Sequence, residues 1–372
     1  MRNRRRPLRR RLAANRRSRA RSFKYKAGVR FGARQRTRRR VPRKRQAAYG
    51  RLELKAYRAG IDGAAAVRRE QRNVDHMRMT YAAWHDRSGL ANMHFTRLAP
   101  ILQAYSKGYA SVSRHVHCGL PLPLRRSASA VVTVCNEMKT ISAVLSELAK
   151  LPFREIIVVL NGCRDGSFAE VRKHPGVTIL HFPERLGHDV GRSLGAAAAR
   201  GDILLFTDGD LVIPAVELGA FLYAVDQGAD LALNNITPWL PVFSRQDEVT
   251  RSKSFLNLVL GRPDLRANSL TAVPHALSRR AVENIGTAAL AVPPKAQALA
   301  IQHGLVVTAP MAVDVIRNNR VRTGNTGSGN RVARMILGDH IEALGEAMSS
   351  AGPRLGFTSQ GRAELAKARN SI

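Results

Sequence analysis

The sequence predicts an α/β protein with a Rossmann-like, mostly parallel sheet that carries helices on both faces. Two observations lead to this prediction. Between residues 129 and 214, short apolar and β-branched runs alternate with stretches whose apolar residues follow the spacing of a helix. Polar residues follow the ends of these runs. Strands and helices that alternate in this way form a parallel sheet with right-handed crossovers, so these polar residues collect along one edge.

Residues 1–45 are strongly basic. They hold 22 of the 61 Lys and Arg residues and none of the 27 Asp and Glu residues, so much of the formal charge of +34 lies here. Because this segment has few large apolar side chains, it is predicted to be a disordered Arg-rich tail. Such a tail can contact an anionic polymer, such as a nucleic-acid backbone, or an anionic membrane surface.

Residues 46–128 are predicted to form a partly helical N-terminal extension, with helical spacing at 52–57, 64–71 and 98–105. The three cysteines are an odd number and match no zinc signature, which favours reduced thiols in a cytoplasmic protein. No apolar run reaches the roughly 18 residues that a membrane span requires.

The main domain begins with a β-branched run at residues 130–135, which predicts a buried strand. Apolar residues between 141 and 148 then follow the i, i+3, i+4, i+7 pattern of one helix face. The other predicted elements are strands at 156–160 and 177–182, a helix at 189–200, a strand ending at 208 and a helix at 278–285. A glycine-rich segment at 322–331 is expected to be a mobile loop over the site.

Two carboxylates, Asp208 and Asp210, follow directly after the strand that ends this series. In an open parallel sheet, ligands bind at the carboxyl ends of the strands. Paired hard oxygen donors at that edge suit Mg²⁺ or Mn²⁺ bridging the phosphates of a nucleotide. An acidic turn that caps the next element is the simpler alternative for an isolated pair.

The helix at 189–200 carries Gly191 and Gly195, each of which lowers helix stability by about 1 kcal/mol relative to Ala. Such a loss indicates tight packing on the sheet or against a ligand. Arg192 lies near the amino end of this helix, where a cation opposes the helix dipole. A bound diphosphate would offset this unfavourable interaction between the cation and the helix dipole. The alternative is that the Arg192 side chain is simply solvated.

Three motifs carry a resemblance to a known family; they span residues 131–137, 157–167 and 201–211. In this order and spacing they resemble the nucleotide-side motifs of family 2-type glycosyltransferases, which have the A-type glycosyltransferase fold of the nucleotide-diphospho-sugar transferase superfamily. The resemblance covers residues 129–320 and implies a nucleotide-sugar half at 129–214 and an acceptor half at 215–345. Residues 346–372 are expected to be a polar tail.

The resemblance also implies roles for individual residues. Asp208 would face the ribose or a divalent metal, and Asp210 would bind that metal on the donor's diphosphate. The metal and Arg192 would neutralise the departing nucleoside diphosphate. His275 is a further candidate metal ligand. The side chains expected to hold the rest of the donor are Asn136, Glu137, Asn161 and Asp165.

The chain departs from the family pattern in its second half. Inverting members place a Glu-Asp pair roughly 80–90 residues beyond the metal motif, but residues 292–297 contain no carboxylate. An inverting displacement requires a general base near the acceptor hydroxyl. The remaining candidates for this base are Asp264 and Asp339. Asp247 and Glu248, which also lie in the acceptor half, are further candidates. A retaining mechanism, or loss of activity, stays open.

The sequence therefore predicts a metal-dependent glycosyltransferase, a hexosyltransferase in particular, that moves a sugar from a nucleotide-diphosphate sugar to an acceptor. One alternative is a sugar-phosphate nucleotidyltransferase, although the first loop lacks the Gly-rich sequence of that class. The other alternative is a non-catalytic binding module whose basic tail contacts nucleic acid or membrane.

Overall fold

A seven-stranded mixed sheet organises the protein, whose computed structural model describes residues 43–113, 119–315 and 330–355. The strands are β1 (Ala128–Val134), β2 (Phe153–Asn161), β3 (Val177–Phe182), β4 (Ile203–Asp208), β5 (Leu231–Asn234), β6 (His275–Ser278) and β7 (Val307–Met311). Their order is β3-β2-β1-β4-β6-β5-β7. Strands β1 to β4 are mutually parallel, whereas β6 runs antiparallel to both β4 and β5. The predicted mostly parallel α/β sheet is confirmed.

Helices connect and cover these strands. They are α1 (Arg43–Ala65), α2 (Val74–Arg87), α3 (Phe95–Val112), α4 (Ile141–Leu148), α5 (Ser167–Val171), α6 (Val190–Ala198), α7 (Ala215–Asp226), α8 (Glu248–Val259), α9 (Arg279–Ile285), α10 (Pro293–Gln302) and α11 (Arg331–Ala351). Short 3₁₀ turns lie at Arg69–Gln71, Thr237–Trp239, Phe243–Arg245, Pro263–Leu265 and Thr287–Ala291. In the part of the chain that is described, no helix is long and apolar enough to cross a membrane.

The sheet is buried on both faces, and alternate residues of a strand pack into different cores. In β1, Val131 packs into a core shared with α6, α9 and α10, whereas Val132 packs into a core shared with α4, α5 and α7. Because side chains alternate along a strand, a continuous apolar run supplies both cores at once. Because both faces are covered, polar side chains of the sheet reach solvent at the ends of the strands.

The glycines of α6 let that helix lie directly on β1. A Cβ atom on Gly195 would stand 2.2 Å from Cγ1 of Val131, and one on Gly191 would stand 2.9 Å from Cγ2 of Thr133. The predicted tight packing is therefore against the sheet. It brings the amino end of α6, with Arg192, to the carboxyl edge of β1.

Several predicted boundaries differ from the structure. Helix α1 begins at Arg43, inside the predicted tail, and it ends at Ala65. A helix over 64–71 was wrong, since only the 3₁₀ turn at Arg69–Gln71 follows α1 there. At the other end, α11 continues past residue 345 to Ala351. The predicted tail up to residue 42, most of the glycine-rich loop at 322–331 and residues 356–372 lie outside the described residues.

The N-terminal helices form a layer that packs through α3 against α7, where the rings of Phe95 and Tyr223 are 5.7 Å apart. Helices α1 and α3 cross closely at two glycines. A Cβ atom on Gly60 would meet the carbonyl oxygen of Tyr105 at 2.2 Å, and one on Gly108 would meet that of Tyr57 at 2.0 Å. Both obstacles are backbone atoms, so neither can move aside by a rotamer change.

We expect Gly108→Ala to destabilise the protein by about 3 kcal/mol, because the added methyl group forces α1 and α3 apart. Gly345→Ala in α11 is the matched control, since nothing lies within 4 Å of the added Cβ there. That control should leave stability unchanged or raise it by up to about 1 kcal/mol, through helix propensity. Chemical denaturation of both variants measures the difference, and equal stabilities would contradict the close crossing.

Candidate active site

A cleft of about 420 Å³ opens at the carboxyl ends of β1, β2 and β4. Its walls include five of the predicted site residues: Glu137, Asn161, Arg192, Asp208 and Asp210. Other predicted residues do not line it: Asn136, Asp165, Asp264, His275 and Asp339. The predicted site residues thus divide into residues that line this cleft and residues that do not.

The end of β4 is held to β1 by its side chains and backbone. Asp208 lies opposite Thr133 in the parallel register, and the Thr133 hydroxyl donates to Oδ1 of Asp208 at 2.5 Å. The N–H of Gly209 donates to the Thr133 carbonyl oxygen at 2.8 Å. A Cβ atom on Gly209 would stand 2.8 Å from Val134, so the turn fits only without a side chain. These contacts position Asp208 and Asp210 on the cleft wall.

Arg192 is buried in the cleft wall, and the prediction of a solvated side chain is excluded because only 5% of the residue is exposed. Its Nη1 donates to the Leu270 carbonyl oxygen at 3.0 Å and lies 3.2 Å from Oδ1 of Asp189. Its Nη2 lies 4.0 Å from Oδ2 of Asp208. A fixed guanidinium therefore stands beside the first carboxylate of the pair.

The strand-end loops that were predicted to hold a nucleoside are braced by their own polar groups. Asn161 accepts from the N–H of Leu186 at 2.8 Å and donates to the Gly187 carbonyl oxygen at 2.7 Å. Its amide thus fixes the turn at 185–187 while one side of the residue lines the cleft. Glu137 is 3% exposed, lines the cleft, and donates its N–H to the Ser167 hydroxyl at 2.8 Å.

Asn136 and Asp165 need correction as donor ligands. Asn136 has a φ of +63° and accepts from the N–H of Arg164 at 2.7 Å. Asp165 accepts from the N–H and hydroxyl of Ser167 and from the N–H of Met138. Although burial opposes it, these hydrogen bonds hold the pKa of Asp165 below its ordinary value. Both side chains shape the loops and do not face the cleft.

His275 also lies outside the cleft. It pairs with Phe206 across the antiparallel β4–β6 register, and the two rings stack with centroids 5.2 Å apart. Its Nδ1 is 3.0 Å from the Ala272 carbonyl oxygen, to which it donates. Burial, together with the charge of Arg192, lowers the pKa of His275 to about 3, so the ring is neutral. It serves as a packed strand residue and does not join Asp208 and Asp210 in a metal site.

Within 43–113, 119–315 and 330–355, no group of three or more His, Cys, Asp and Glu side chains is arranged to hold a metal ion. The pair Asp208 and Asp210 fits a different kind of site. Mg²⁺ or Mn²⁺ bound with a nucleotide takes one or two protein carboxylates and completes its shell with phosphate oxygens and water. The donor set on the cleft wall matches that requirement.

The base candidates fall in three different places. Asp264 does not line the cleft. Both its oxygens are 2.8 Å from the guanidinium of Arg262, which holds the pKa of Asp264 below its ordinary value. Asp339 lies on α11 beside the cleft but not on its wall. Asp247 lies on the wall and caps α8, accepting from the N–H of Thr250 at 2.6 Å.

Residues 292–297, where the resemblance led us to expect a carboxylate pair, include the start of α10, whose Gln297 is 1% exposed. Gln297 accepts from the N–H of Leu270 at 2.9 Å and donates to Oδ1 of Asn257 at 2.7 Å. Since the Leu270 carbonyl accepts from Arg192, this amide supports the segment that positions the guanidinium. A neutral amide therefore acts as a brace at that place in the chain.

Asp339 gives a pH-dependent prediction. Burial, reinforced by Asp189 and Glu342 and opposed by His188, raises the pKa of Asp339 from 3.8 to about 6. The folded state therefore binds this proton more tightly than the unfolded chain, and the stability it contributes below about pH 4 is lost as the pH rises through 6. Asp339→Asn should melt above the wild type at pH 8, and the difference should vanish below about pH 4. A difference that is independent of pH would contradict the raised pKa.

Lys253 is a cleft residue that was not predicted from the sequence. It lies on α8 and lines the cleft together with Thr250 of the same helix and with Asp247, the N-cap of α8. Thr250 and Lys253 are spaced i, i+3, which makes them neighbours on one helix face, and this spacing is the signal in the sequence that could have found Lys253. Nothing in the sequence indicated that this face turns toward the end of β4.

Comparisons with known proteins bear on the same region. Residues 129–280 match the family described as Glycosyl transferase family 2. No curated protein matches the chain. Among solved structures, the fold is similar to glucosyl-3-phosphoglycerate synthase from Mycobacterium tuberculosis in complex with Mn²⁺, UDP and phosphoglyceric acid, at 19% identity and a TM-score of 0.46, covering 59% of this chain and 78% of that chain. The same enzyme with Mg²⁺ and UDP gives 18% identity and a TM-score of 0.46, covering 59% and 80%.

The family match coincides with the strands and loops that build the cleft, from β1 through β6. The sheet order and its antiparallel β6 agree with the A-type glycosyltransferase fold expected from the resemblance. The chain thus matches Glycosyl transferase family 2 over residues 129–280, and this match bears out the predicted enzyme class, a glycosyltransferase.

Proposed function

We propose that the protein is a divalent-metal-dependent glycosyltransferase that moves a sugar, a hexose in particular, from a nucleoside-diphosphate sugar to an acceptor. The observation that carries this proposal is the placement of Asp208, Asp210 and Arg192 on one cleft at the carboxyl ends of the parallel strands. Two carboxylates for a metal and one fixed cation are the groups needed to bind a diphosphate and stabilise its departure.

In this proposal Asp208 and Asp210 would hold Mg²⁺ or Mn²⁺, which would supply Lewis-acid stabilisation to the leaving diphosphate. Arg192 adds a second positive charge beside that position, held by Asp189 and the Leu270 carbonyl. Because these partners fix the guanidinium before a ligand binds, little reorganisation is required when charge develops on the leaving group. Glu137 and the turn supported by Asn161 face the rest of the donor.

We favour Asp247 as the general base, because it is the candidate that lines the cleft. A base must first lie within reach of the proton that it removes, and its pKa is considered after that. Asp339 is the second candidate, since its raised pKa of about 6 suits proton transfer near neutral pH. Contact of residues 1–45 with an anionic polymer or membrane surface, and a cytoplasmic location, stay predictions.

Thermal melting of the full chain with a panel of nucleoside diphosphates and nucleotide sugars, with and without Mn²⁺, tests the proposal. A ligand at 100 times its Kd should stabilise the folded state by about 2.7 kcal/mol. We expect stabilisation by at least one nucleotide sugar that disappears with a chelator. A chain that no nucleotide stabilises with any metal would contradict the proposal.

A non-catalytic binding module is the second candidate, and one observation favours it. Gln297 lies in the segment where the resemblance led us to expect a carboxylate pair, and its amide is hydrogen-bonded within the protein interior. This alternative predicts donor binding without any turnover. Measuring nucleotide release alongside the melting experiment separates the two functions.

A further inference from the structure

The two halves of the cleft differ in chemistry. The half formed by the strand ends is polar and carries the acidic pair, Arg192 and their neighbours. The other half, whose lining residues follow residue 235 in the chain, is mostly aliphatic. Its described apolar lining residues are Ile236, Leu240, Val249, Val273, Val315, Val332 and Ile336. A wall of this kind binds an apolar group, because burying apolar surface is favourable and directionless.

Lys253 is the cation on this aliphatic half among its described lining residues. It donates no hydrogen bond to the other described residues and forms no ion pair with them within 4.0 Å. The charges that act on it are those of Asp247 and Arg192. Burial lowers the pKa of Lys253 to about 8, and Arg192 adds to this effect while Asp247 opposes it. Arg192, by contrast, is held by Asp189 and the Leu270 carbonyl.

A partly buried ammonium group without a close anion is unfavourable, since it has lost water and gained no partner. A ligand that brought an anionic oxygen group to Lys253 would supply that partner. The rest of such a ligand would lie against the aliphatic wall.

The apolar character continues out of the cleft. Leu240 lines the wall. Three residues further along the chain, the 3₁₀ turn at Phe243–Arg245 begins with Phe243, which is 69% exposed. Its neighbour Val242 is 67% exposed. Arg251 of α8 lies over the Phe243 ring at 5.4 Å. Exposed apolar residues therefore follow the aliphatic wall closely in the chain.

We propose that the acceptor is an amphiphilic anion whose phosphate or carboxylate binds Lys253 and whose apolar portion lies along the aliphatic wall toward Phe243. This inference rests on the proposed function, because it assigns the acceptor of that same cleft. Nothing in it depends on the base of the donor nucleotide or on its sugar.

Calorimetry on the full chain with three probes tests the inference: hexyl phosphate, inorganic phosphate and hexyl glucoside, in the presence of Mn²⁺ and a nucleoside diphosphate. Each methylene buried on the wall should tighten binding roughly fourfold. We expect hexyl phosphate to bind at least tenfold more tightly than inorganic phosphate and than the neutral glucoside. Equal affinities for hexyl phosphate and inorganic phosphate would overturn the apolar part of the proposal.

Substitutions test the contribution of the Lys253 charge and that of the aliphatic wall separately. Lys253→Gln should weaken hexyl phosphate at least tenfold, and Lys253→Arg should keep it within threefold because the positive charge stays. Ile336→Ala should weaken hexyl phosphate severalfold and leave inorganic phosphate unchanged. Lys107→Gln is the matched control, since Lys107 is an exposed lysine on α3, far along the chain from the cleft.

The other possible outcomes of these experiments also test the inference. If Lys253→Gln weakens the nucleoside diphosphate as much as it weakens hexyl phosphate, Lys253 serves the donor and the inference is overturned. If Lys107→Gln weakens hexyl phosphate equally, binding is non-specific and the inference is again overturned. If hexyl phosphate binds through Lys253 but no nucleotide binds the wild type, the amphiphile site stands and the proposed glycosyl transfer fails.

Discussion

Asp210→Ala should abolish the Mn²⁺-dependent binding of a nucleotide sugar, with a loss in affinity of at least roughly 100-fold, or about 2.7 kcal/mol. The reason is electrostatic, since the metal offsets the charge of the diphosphate and a single remaining carboxylate, Asp208, would hold it weakly. The fold should persist, because Asp210 follows a strand end and is not part of either core. We expect the free energy of unfolding to change by no more than about 1 kcal/mol.

Calorimetry with and without Mn²⁺ measures this loss. Asp264→Asn is the matched control, because it removes a carboxylate that is bound to Arg262 away from the cleft. The control should bind donor as the wild type does. Unchanged donor affinity in Asp210→Ala would end the metal assignment.

Asp247→Asn should lower kcat by 10²- to 10⁴-fold, the range expected when a general base is removed, with donor affinity unchanged. Asparagine is as good an N-cap as aspartate, so the hydrogen bond to Thr250 and the start of α8 should persist. The substitution therefore removes basicity and keeps the local structure. The value of kcat is measured by steady-state kinetics with a nucleotide sugar that the wild type turns over. Asp264→Asn again serves as the control.

Asp339→Asn distinguishes the remaining possibilities. If its kcat falls while that of Asp247→Asn does not, Asp339 is the base and Asp247 only caps α8. If neither variant loses turnover, the assignment of a carboxylate base fails and a retaining mechanism gains support.

Much of the nucleotide side of the protein was predictable because it depends on short-range patterns. A continuous apolar strand followed by Asp-Gly-Asp predicts both a buried strand and exposed carboxylates, and Asp208 and Asp210 lie on the cleft wall. The glycines of α6 predicted close packing, and Gly195 fits directly over Val131. In each case the residue type and the element period were sufficient.

The direction of a side chain within a loop was not predictable in the same way. Asn161 and Asp165 have the right chemistry for a ligand, yet their oxygens accept from backbone N–H groups of Leu186, Ser167 and Met138. Amides and carboxylates that follow strand ends serve equally well as loop supports. Only the three-dimensional arrangement distinguishes the two uses.

Residues placed by long-range pairing were the least predictable. His275 is buried because β6 pairs antiparallel with β4, and no local pattern indicates that register. Lys253 lines the cleft from α8, a helix that packs against α10 and α11. The acceptor side of the cleft therefore had to be found from the structure.

Phosphorus NMR of the nucleotide products, after incubation of the full chain with the stabilising nucleotide sugar and Mn²⁺, tests glycosyl transfer most directly. Even without its acceptor, a competent enzyme should transfer the sugar slowly to water. We predict metal-dependent release of the nucleoside diphosphate, because the bond that breaks lies between the anomeric carbon and the diphosphate oxygen. Release of a nucleoside monophosphate, exchange with pyrophosphate or complete absence of turnover would contradict glycosyl transfer.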